Sequence, residues 1–344
     1  MYHPKSMQED NQQPEPEDFL KDLPLQTEEI GYKPDEMIAC KKCSRTNPPN
    51  RLKCMYCGAQ LELSDEQTAV IAPVLRKLEN WENGFNLIYL PKSENVSAET
   101  TAQIAKLIGL EKEVLQKIFE VNKTLPIVRG ESAKEAEILQ NRLKDLNLET
   151  SVVSDASLAA EDLPKRLRGL EFHDDTILLI LFNNDEIAQI KAEDLILIVS
   201  GVIFQKAVES TEARKKGETK ILDATETASD EVLIDIYSRR DAAGYRILTK
   251  GFDFSCLGAE KGILARENIK KLVKAFQAFA PNAKLVDDYL SVRSILGNIW
   301  EVEQRKDSQG LTRQRFGKFD LSNISSSNNL QQFTKYSRLQ RHIL

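Results

Sequence analysis

Four cysteines in two closely spaced pairs are the residues of this sequence best suited to chemistry. Cys40 and Cys43 form one C-x-x-C pair, and Cys54 and Cys57 form a second pair after a ten-residue loop. Each C-x-x-C turn can direct two thiolates at one centre, and the loop is long enough to bring the second turn over the first. The spacing therefore predicts one structural Zn²⁺ bound by all four cysteines, with no open coordination position.

Two other uses of these cysteines fit the sequence less well. A pair of disulfides would require an oxidising compartment, and a redox-active C-x-x-C is expected within a βαβ unit, which the surrounding sequence lacks. Gly58 directly follows the last cysteine, where a turn around a metal often needs a positive φ. Zinc binding is therefore the favoured interpretation.

The segment from Cys40 to Gly58, with Asn47 between the pairs, resembles the small zinc ribbons near the N-termini of many bacterial proteins. Its spacing is also similar to that of the Ran-binding-protein-type finger, some members of which bind single-stranded RNA. Pro48 stands where that finger usually carries an aromatic residue. Basic residues could contact phosphate or could form a solvated face that offsets the charge of a zinc tetrathiolate. They are Lys41, Lys42, Arg45, Arg51 and Lys53.

The sequence offers little material for catalysis. It contains three histidines, His3, His173 and His342, and no glycine-rich phosphate loop, metalloprotease helix or nucleophile elbow. The fifth cysteine, Cys256, lies in an apolar context that indicates a buried small hydrophobe. We expect a protein without catalytic activity, and an enzyme of unrecognised class stays open because a sequence does not show clefts.

The N-terminal region and the overall composition indicate a cytoplasmic protein. Residues 1–36 are rich in Gln, Pro, Glu and Asp, which predicts a disordered acidic arm, and they lack the pattern of a secretory signal. The longest apolar runs are too short to span a bilayer. The net charge of −6 argues against a dedicated nucleic-acid binder. The zinc ribbon is predicted over 37–62, followed by a linking helix over 63–84.

A small α/β domain is predicted over 85–155, with the element order β-α-α-β-α-β. Its last helix opens with a capping box formed by Ser132 and Glu135. The order, together with Leu125-Pro126, Gly130 and the Ser132 to Ala136 stretch, resembles the C-terminal domain of the bacterial ribosomal stalk protein. The resemblance implies a fold, and no translation role is inferred from it.

A β-rich domain is predicted over 172–302. Several β-branched segments precede one amphipathic helix over 266–280, whose apolar face comprises Ile269, Leu272, Val273, Phe276 and Phe279. Many strands followed by one helix is similar to a pleckstrin-homology or GRAM barrel. The resemblance implies a barrel-like sheet capped by its C-terminal helix.

The last segment, 303–344, is basic, carries spaced aromatic residues and is predicted to be a flexible tail. The predicted fold class is therefore multidomain α+β with disordered termini. The predicted function is that of a zinc-binding adaptor whose partner is another protein of unknown identity. RNA or ribosome association through the ribbon and the basic tail is the alternative, possible but not favoured.

Overall fold

The computed structural model describes residues 32–33, 37–49, 51–62, 75–92, 96–158, 163–184, 186–215, 218–315 and 318–344, with side chains omitted for 211–223 and 308–323. The chain forms two compact units, Met1–Ile71 and Ala72–Leu344. The acidic arm predicted over 1–36 lies outside the described residues except for 32–33. Most of the predicted linking helix is also outside them, and residues 75–84 contain a turn at 80–81 instead of a helix.

The first unit contains a minimal ribbon. Strands β1 (Ile38–Ala39) and β2 (Thr46–Asn47) pair antiparallel, and Lys53 bridges to Gln60. Among its described residues, the buried aliphatic side chains are Ile38 and Leu61, which pack with the sulfurs of Cys40 and Cys54. Two aliphatic side chains are far too few to stabilise a folded domain without another source of free energy.

The second unit begins with the predicted α/β pattern, and the order β-α-α-β-α-β is confirmed. Its elements are β3 (Phe85–Tyr89), α1 (Ala98–Ile108), α2 (Lys112–Val121), β4 (Leu125–Gly130), α3 (Ala133–Asp145), β5 (Thr150–Ser154) and a short α4 (Asp155–Leu158). The sheet order is β4-β3-β5, with both pairings antiparallel. Ser132 caps α3 as predicted, and the Glu135 carboxylate accepts from the backbone N–H of Glu131.

The rest of the second unit is built on a large mixed sheet. Its elements are β6 (Lys165–Phe172), β7 (Thr176–Leu181), β8 (Ile187–Lys191), β9 (Leu195–Lys215), β10 (Glu218–Ser238), β11 (Tyr245–Leu248), α5 (Ala265–Phe279), β12 (Lys284–Val286), α6 (Tyr289–Leu296), β13 (Glu303–Arg315), β14 (Lys318–Asn328) and α7 (Leu330–His342). The nine strands follow the order β13-β14-β9-β10-β11-β6-β7-β8, with β12 parallel to β9. The α+β class is confirmed, and the path of strand pairing leaves the sheet open.

The first residues of strand β9 and the last residues of strand β10 are buried on both faces of the sheet. Ile198 and Ile234 point into a core closed by α5, whose Ile269, Leu272 and Phe276 are buried there as the sequence predicts. Leu197 and Leu233 point into a second core shared with α6, α7 and the α/β region. Because successive side chains of a strand point to opposite faces of the sheet, each of these strands contributes to both cores.

The C-terminal segment 303–344 is not the flexible tail that its composition predicts. Strands β13 and β14 add an antiparallel pair to the large sheet, and α7 packs in the second core with Phe333, Tyr336 and Leu339 buried. The prediction failed because most residues of α7 are polar, yet several of them are buried with hydrogen-bond partners. Among the described residues, no helix is both long and apolar enough to cross a membrane.

Candidate metal centre

The two C-x-x-C turns of the first unit have the same backbone geometry. Ser44 N–H donates to Cys40 C=O at 2.7 Å, and Gly58 N–H donates to Cys54 C=O at 2.9 Å. Both residues that follow the turns have positive φ, 57° at Ser44 and 69° at Gly58. Glycine adopts this conformation at low cost, as predicted for Gly58, whereas Ser44 adopts it despite its side chain.

The four cysteine sulfurs lie close together around a common centre. Their Sγ atoms all lie within 4.8 Å of one another, with Cys43 3.5 Å from Cys54 and Cys40 3.6 Å from Cys57. A zinc ion about 2.3 Å from four tetrahedral sulfurs places those sulfurs roughly 3.8 Å apart. The cluster is therefore compatible with a zinc ribbon, and all four cysteines are free thiols without disulfides.

Asn47 connects the two turns from a fully buried position. Its Nδ2 donates to Arg45 C=O at 3.0 Å, and its Oδ1 accepts from the Met55 N–H at 2.9 Å. One amide side chain thus ties the residues after the first pair to the second turn. The sequence marked Asn47 only through its place in the motif, and the structure supplies the physical reason for it.

The thiols around this point differ in acidity. Burial raises the pKa of Cys54, but N–H groups of Tyr56 and Cys57 and the side chains of Cys43 and Asn47 outweigh it and lower that pKa to about 6. For Cys43, a hydrogen bond from the Arg45 backbone lowers the pKa, while burial and the neighbouring sulfurs raise it to about 12. A thiolate at Cys54 therefore opposes ionisation of Cys43 until a cation supplies compensating charge.

The surface of the second turn carries exposed aromatic and basic groups. The Tyr56 side chain is 52% exposed, and the Arg45 guanidinium lies 4.8 Å from its ring centroid. The neighbouring Met55 is also largely exposed. The sequence interpretation looked for a stacking aromatic at the position of Pro48 and missed the one at Tyr56.

Cys256 and His173 take no part in a comparable cluster. Cys256 is partly buried, and burial raises the pKa of its thiol to about 11, so it is a poor nucleophile at neutral pH. His173 lies 3.7 Å from Glu171 in an exposed pair. Among the described residues, the four cysteines from Cys40 to Cys57 are the one place where three or more metal-ligating side chains lie close together.

The second unit contains two buried ion pairs that sequence analysis did not identify. Asp155 accepts from Arg129 at 2.5 Å, and Asp235 accepts twice from Arg246, each at 2.7 Å. Lys335 of α7 adds a contact of 3.3 Å to Asp155. A signal was present, since Arg129, Asp235 and Arg246 each lie within a short run of apolar residues, for Asp235 the run from Val232 to Tyr237. Each charge has a partner, so these pairs belong to the folded core.

Comparisons with family models, with curated proteins and with solved structures find no match for this chain.

Proposed function

We propose that the first unit is a structural zinc module bound through Cys40, Cys43, Cys54 and Cys57. The observation that carries this is the convergence of four sulfurs at distances close to those of a tetrathiolate. The small apolar core of the ribbon adds support, because such a module needs metal binding as its source of folding free energy. Zinc fits the all-sulfur donor set better than harder cations do.

Metal analysis of the purified chain tests this proposal. The wild type is expected to contain one zinc ion per chain, and Cys54→Ser is expected to lose it. Cys256→Ser is the matched control, because it removes a thiol outside the cluster and should retain full zinc content. A wild type that binds no metal after reconstitution, or a Cys54→Ser protein with full stoichiometry, would contradict the proposal.

We further propose that the chain is a non-catalytic adaptor that binds another protein in the cytoplasm. A hollow of about 710 Å³ on the second unit supports an interaction role. It is bordered by the indole of Trp81, which is 80% exposed, and by the side chains of Glu79, Glu301 and Glu303. Large exposed aromatic side chains are frequent energetic centres of protein interfaces.

Cross-linking in a native lysate tests the adaptor role. A partner captured by the wild type should be lost or reduced with Trp81→Ala and retained with Leu290→Ala, which removes another exposed apolar side chain away from the hollow. Identical partners with both variants would show that Trp81 is not part of the interface. An enzymatic role would be indicated instead if the wild type and both variants converted a substrate at the same rate.

RNA binding is a second candidate function, and the stacked Arg45 and Tyr56 are the observation that favours it. An exposed aromatic ring beside a guanidinium provides a stacking platform for an unpaired base. The basic segment 303–344 supports RNA binding less than its composition suggests, because it is part of the folded second unit. Fluorescence anisotropy with single-stranded RNA separates the candidates: salt-sensitive binding that Tyr56→Ala removes would favour RNA.

A further inference from the structure

The long strands of the second unit extend beyond the cores into a four-stranded region, here called the distal sheet, comprising residues 205–215, 218–230, 303–315 and 318–328. Its strand order is β13-β14-β9-β10, and each neighbouring pair is antiparallel. Strand β11 pairs with β10 only over residues 233–236, and β12 pairs with β9 only over residues 197–199. Within the described part of the chain, β10 and β13 therefore have unpaired outer edges in the distal sheet.

The two edges differ in the charges of their described side chains. Over residues 224–230, strand β10 carries Glu226 and Asp230 and no basic residue. Over residues 303–307, strand β13 carries Arg305 and Lys306 beside Glu303 and Asp307, and Arg305 lies 2.6 Å from Glu303. Charges on an edge strand oppose pairing with an identical edge, because like charges would then face each other. The acidic β10 edge instead favours a cation such as Lys306 on the β13 edge.

The register places two of these charges at the ends of one row. Lys306 pairs with Ser325, Ser325 pairs with Val208, and Val208 pairs with Glu226. Lys306 and Glu226 are both exposed, and Glu226 already forms an ion pair of 2.8 Å with Lys206. A row thus begins with a cation at one edge and ends with an anion at the other.

Strand direction allows the sheet to continue from one copy to the next. Because three antiparallel pairings separate β13 from β10, these two edge strands run in opposite directions. A second copy in the same orientation can therefore place its β13 antiparallel to β10 of the first. In that register Lys306 faces Glu226, while the neighbouring rows place Arg305 beside Thr227 and Asp307 beside Thr225, with no like charges opposed.

We propose that the chain associates with itself by pairing the β10 edge of one copy with the β13 edge of another. The contact is head-to-tail, so each added copy leaves one β10 edge and one β13 edge free, and association is open-ended. The hydrogen bonds of the backbone supply the pairing, and the Lys306–Glu226 contact selects edge and register. This inference rests on neither the bound metal nor the adaptor role.

Sedimentation velocity of the full, zinc-reconstituted chain tests the proposal through charge reversal. The weight-average mass of the wild type should rise with protein concentration and fall with added salt. Glu226→Lys and Lys306→Glu should each weaken association by a factor of about 2 to 30, because each replaces an attractive cross-strand pair by a repulsive one. The double variant restores opposite charges and should recover the wild-type behaviour.

The controls are Glu137→Lys and Lys270→Glu, which reverse charges at exposed positions of helices that also have one nearby ion-pair partner. Both should associate as the wild type does, and circular dichroism should show that all variants are folded. A wild type that stays monomeric at every concentration overturns the proposal. So does a pair of single reversals without effect, or a double variant that fails to recover association.

Discussion

The Asp155 carboxylate provides the most informative test of how the second unit is held together. It accepts from Gly84 N–H at 2.9 Å, from Asn86 Nδ2 at 3.0 Å and from Arg129 at 2.5 Å, and Lys335 lies at 3.3 Å. Asp155→Ala removes the anion shared by two cations, of which Arg129 has a buried side chain. Breaking a buried ion pair by removing one partner costs about 3–5 kcal/mol. We expect a loss of that size in the free energy of unfolding.

Urea unfolding followed by tryptophan fluorescence is a suitable assay. Trp300 is buried, and its Nε1 donates at 2.8 Å to Asn86, which itself donates to Asp155. Its emission therefore reports on this region, whereas Trp81 is exposed. Glu149→Ala is the control, because it breaks an exposed ion pair with Lys92 and should cost less than about 1 kcal/mol.

A double-mutant cycle separates the ion pairs from loss of packing. If the stabilisation by Lys335 comes from its contact with Asp155, then Asp155→Ala should lower the free energy of unfolding less in a Lys335→Met background than in the wild type. Equal costs in both backgrounds would show that the two residues are energetically independent. A loss below about 1 kcal/mol for Asp155→Ala would refute the reasoning, because it would place this carboxylate in the range of exposed pairs.

Three further predictions concern the same unit. Phe276→Ala should lower the free energy of unfolding by about 3–5 kcal/mol, because its ring is fully buried under the sheet, and unchanged urea unfolding would contradict this. Gly201→Ala should lower the free energy of unfolding by about 1–3 kcal/mol through overpacking, since a Cβ there would lie 2.4 Å from the Phe333 ring. Gly109→Ala separates overpacking from backbone strain, because a Cβ there meets nothing within 4 Å while φ is +67°. Burial raises the pKa of Asp155, but Lys335, Asn86 and Arg129 outweigh burial and lower that pKa. The stabilisation that the Asp155 carboxylate gives to the fold should therefore be present above about pH 4 and lost on acidification. Asp155→Asn should lack this part of the acid dependence of unfolding.

Sequence reasoning worked where one local pattern determines the outcome. The spacing of Cys40 to Cys57 brought the cysteines together, because each turn is fixed within a few residues. The Ser132 cap and the face of α5 were predicted for the same reason, since a helix start and a 3.6-residue period are local properties. The β-α-α-β-α-β order followed from such segments read in succession.

Sequence reasoning failed where distant residues decide the structure. The segment 303–328 has few apolar residues, and its strands exist because β14 pairs with β9 more than a hundred residues earlier in the chain. A backbone ladder of this kind leaves little trace in composition. The Lys306–Glu226 row is likewise visible only once the register of four strands is known.

Helix α7 shows why a polar segment can nevertheless form part of a core. Thr334 accepts from Arg246 at 3.0 Å, Ser337 pairs with Tyr237 at 2.8 Å, and Gln332 accepts from Tyr289 at 2.9 Å. A flexible, solvated tail would leave those partners buried without hydrogen bonds, at a cost of about 1–3 kcal/mol for each group.

Because each of these three buried side chains has a hydrogen-bond partner on another element, a shift of α7 by one residue would separate all three pairs. The same helix reaches the α/β region through Lys335 and Arg338, which contact Asp155 and the carbonyl of Leu158. The predicted small α/β domain, the β-rich domain and the tail are thereby joined into one compact unit.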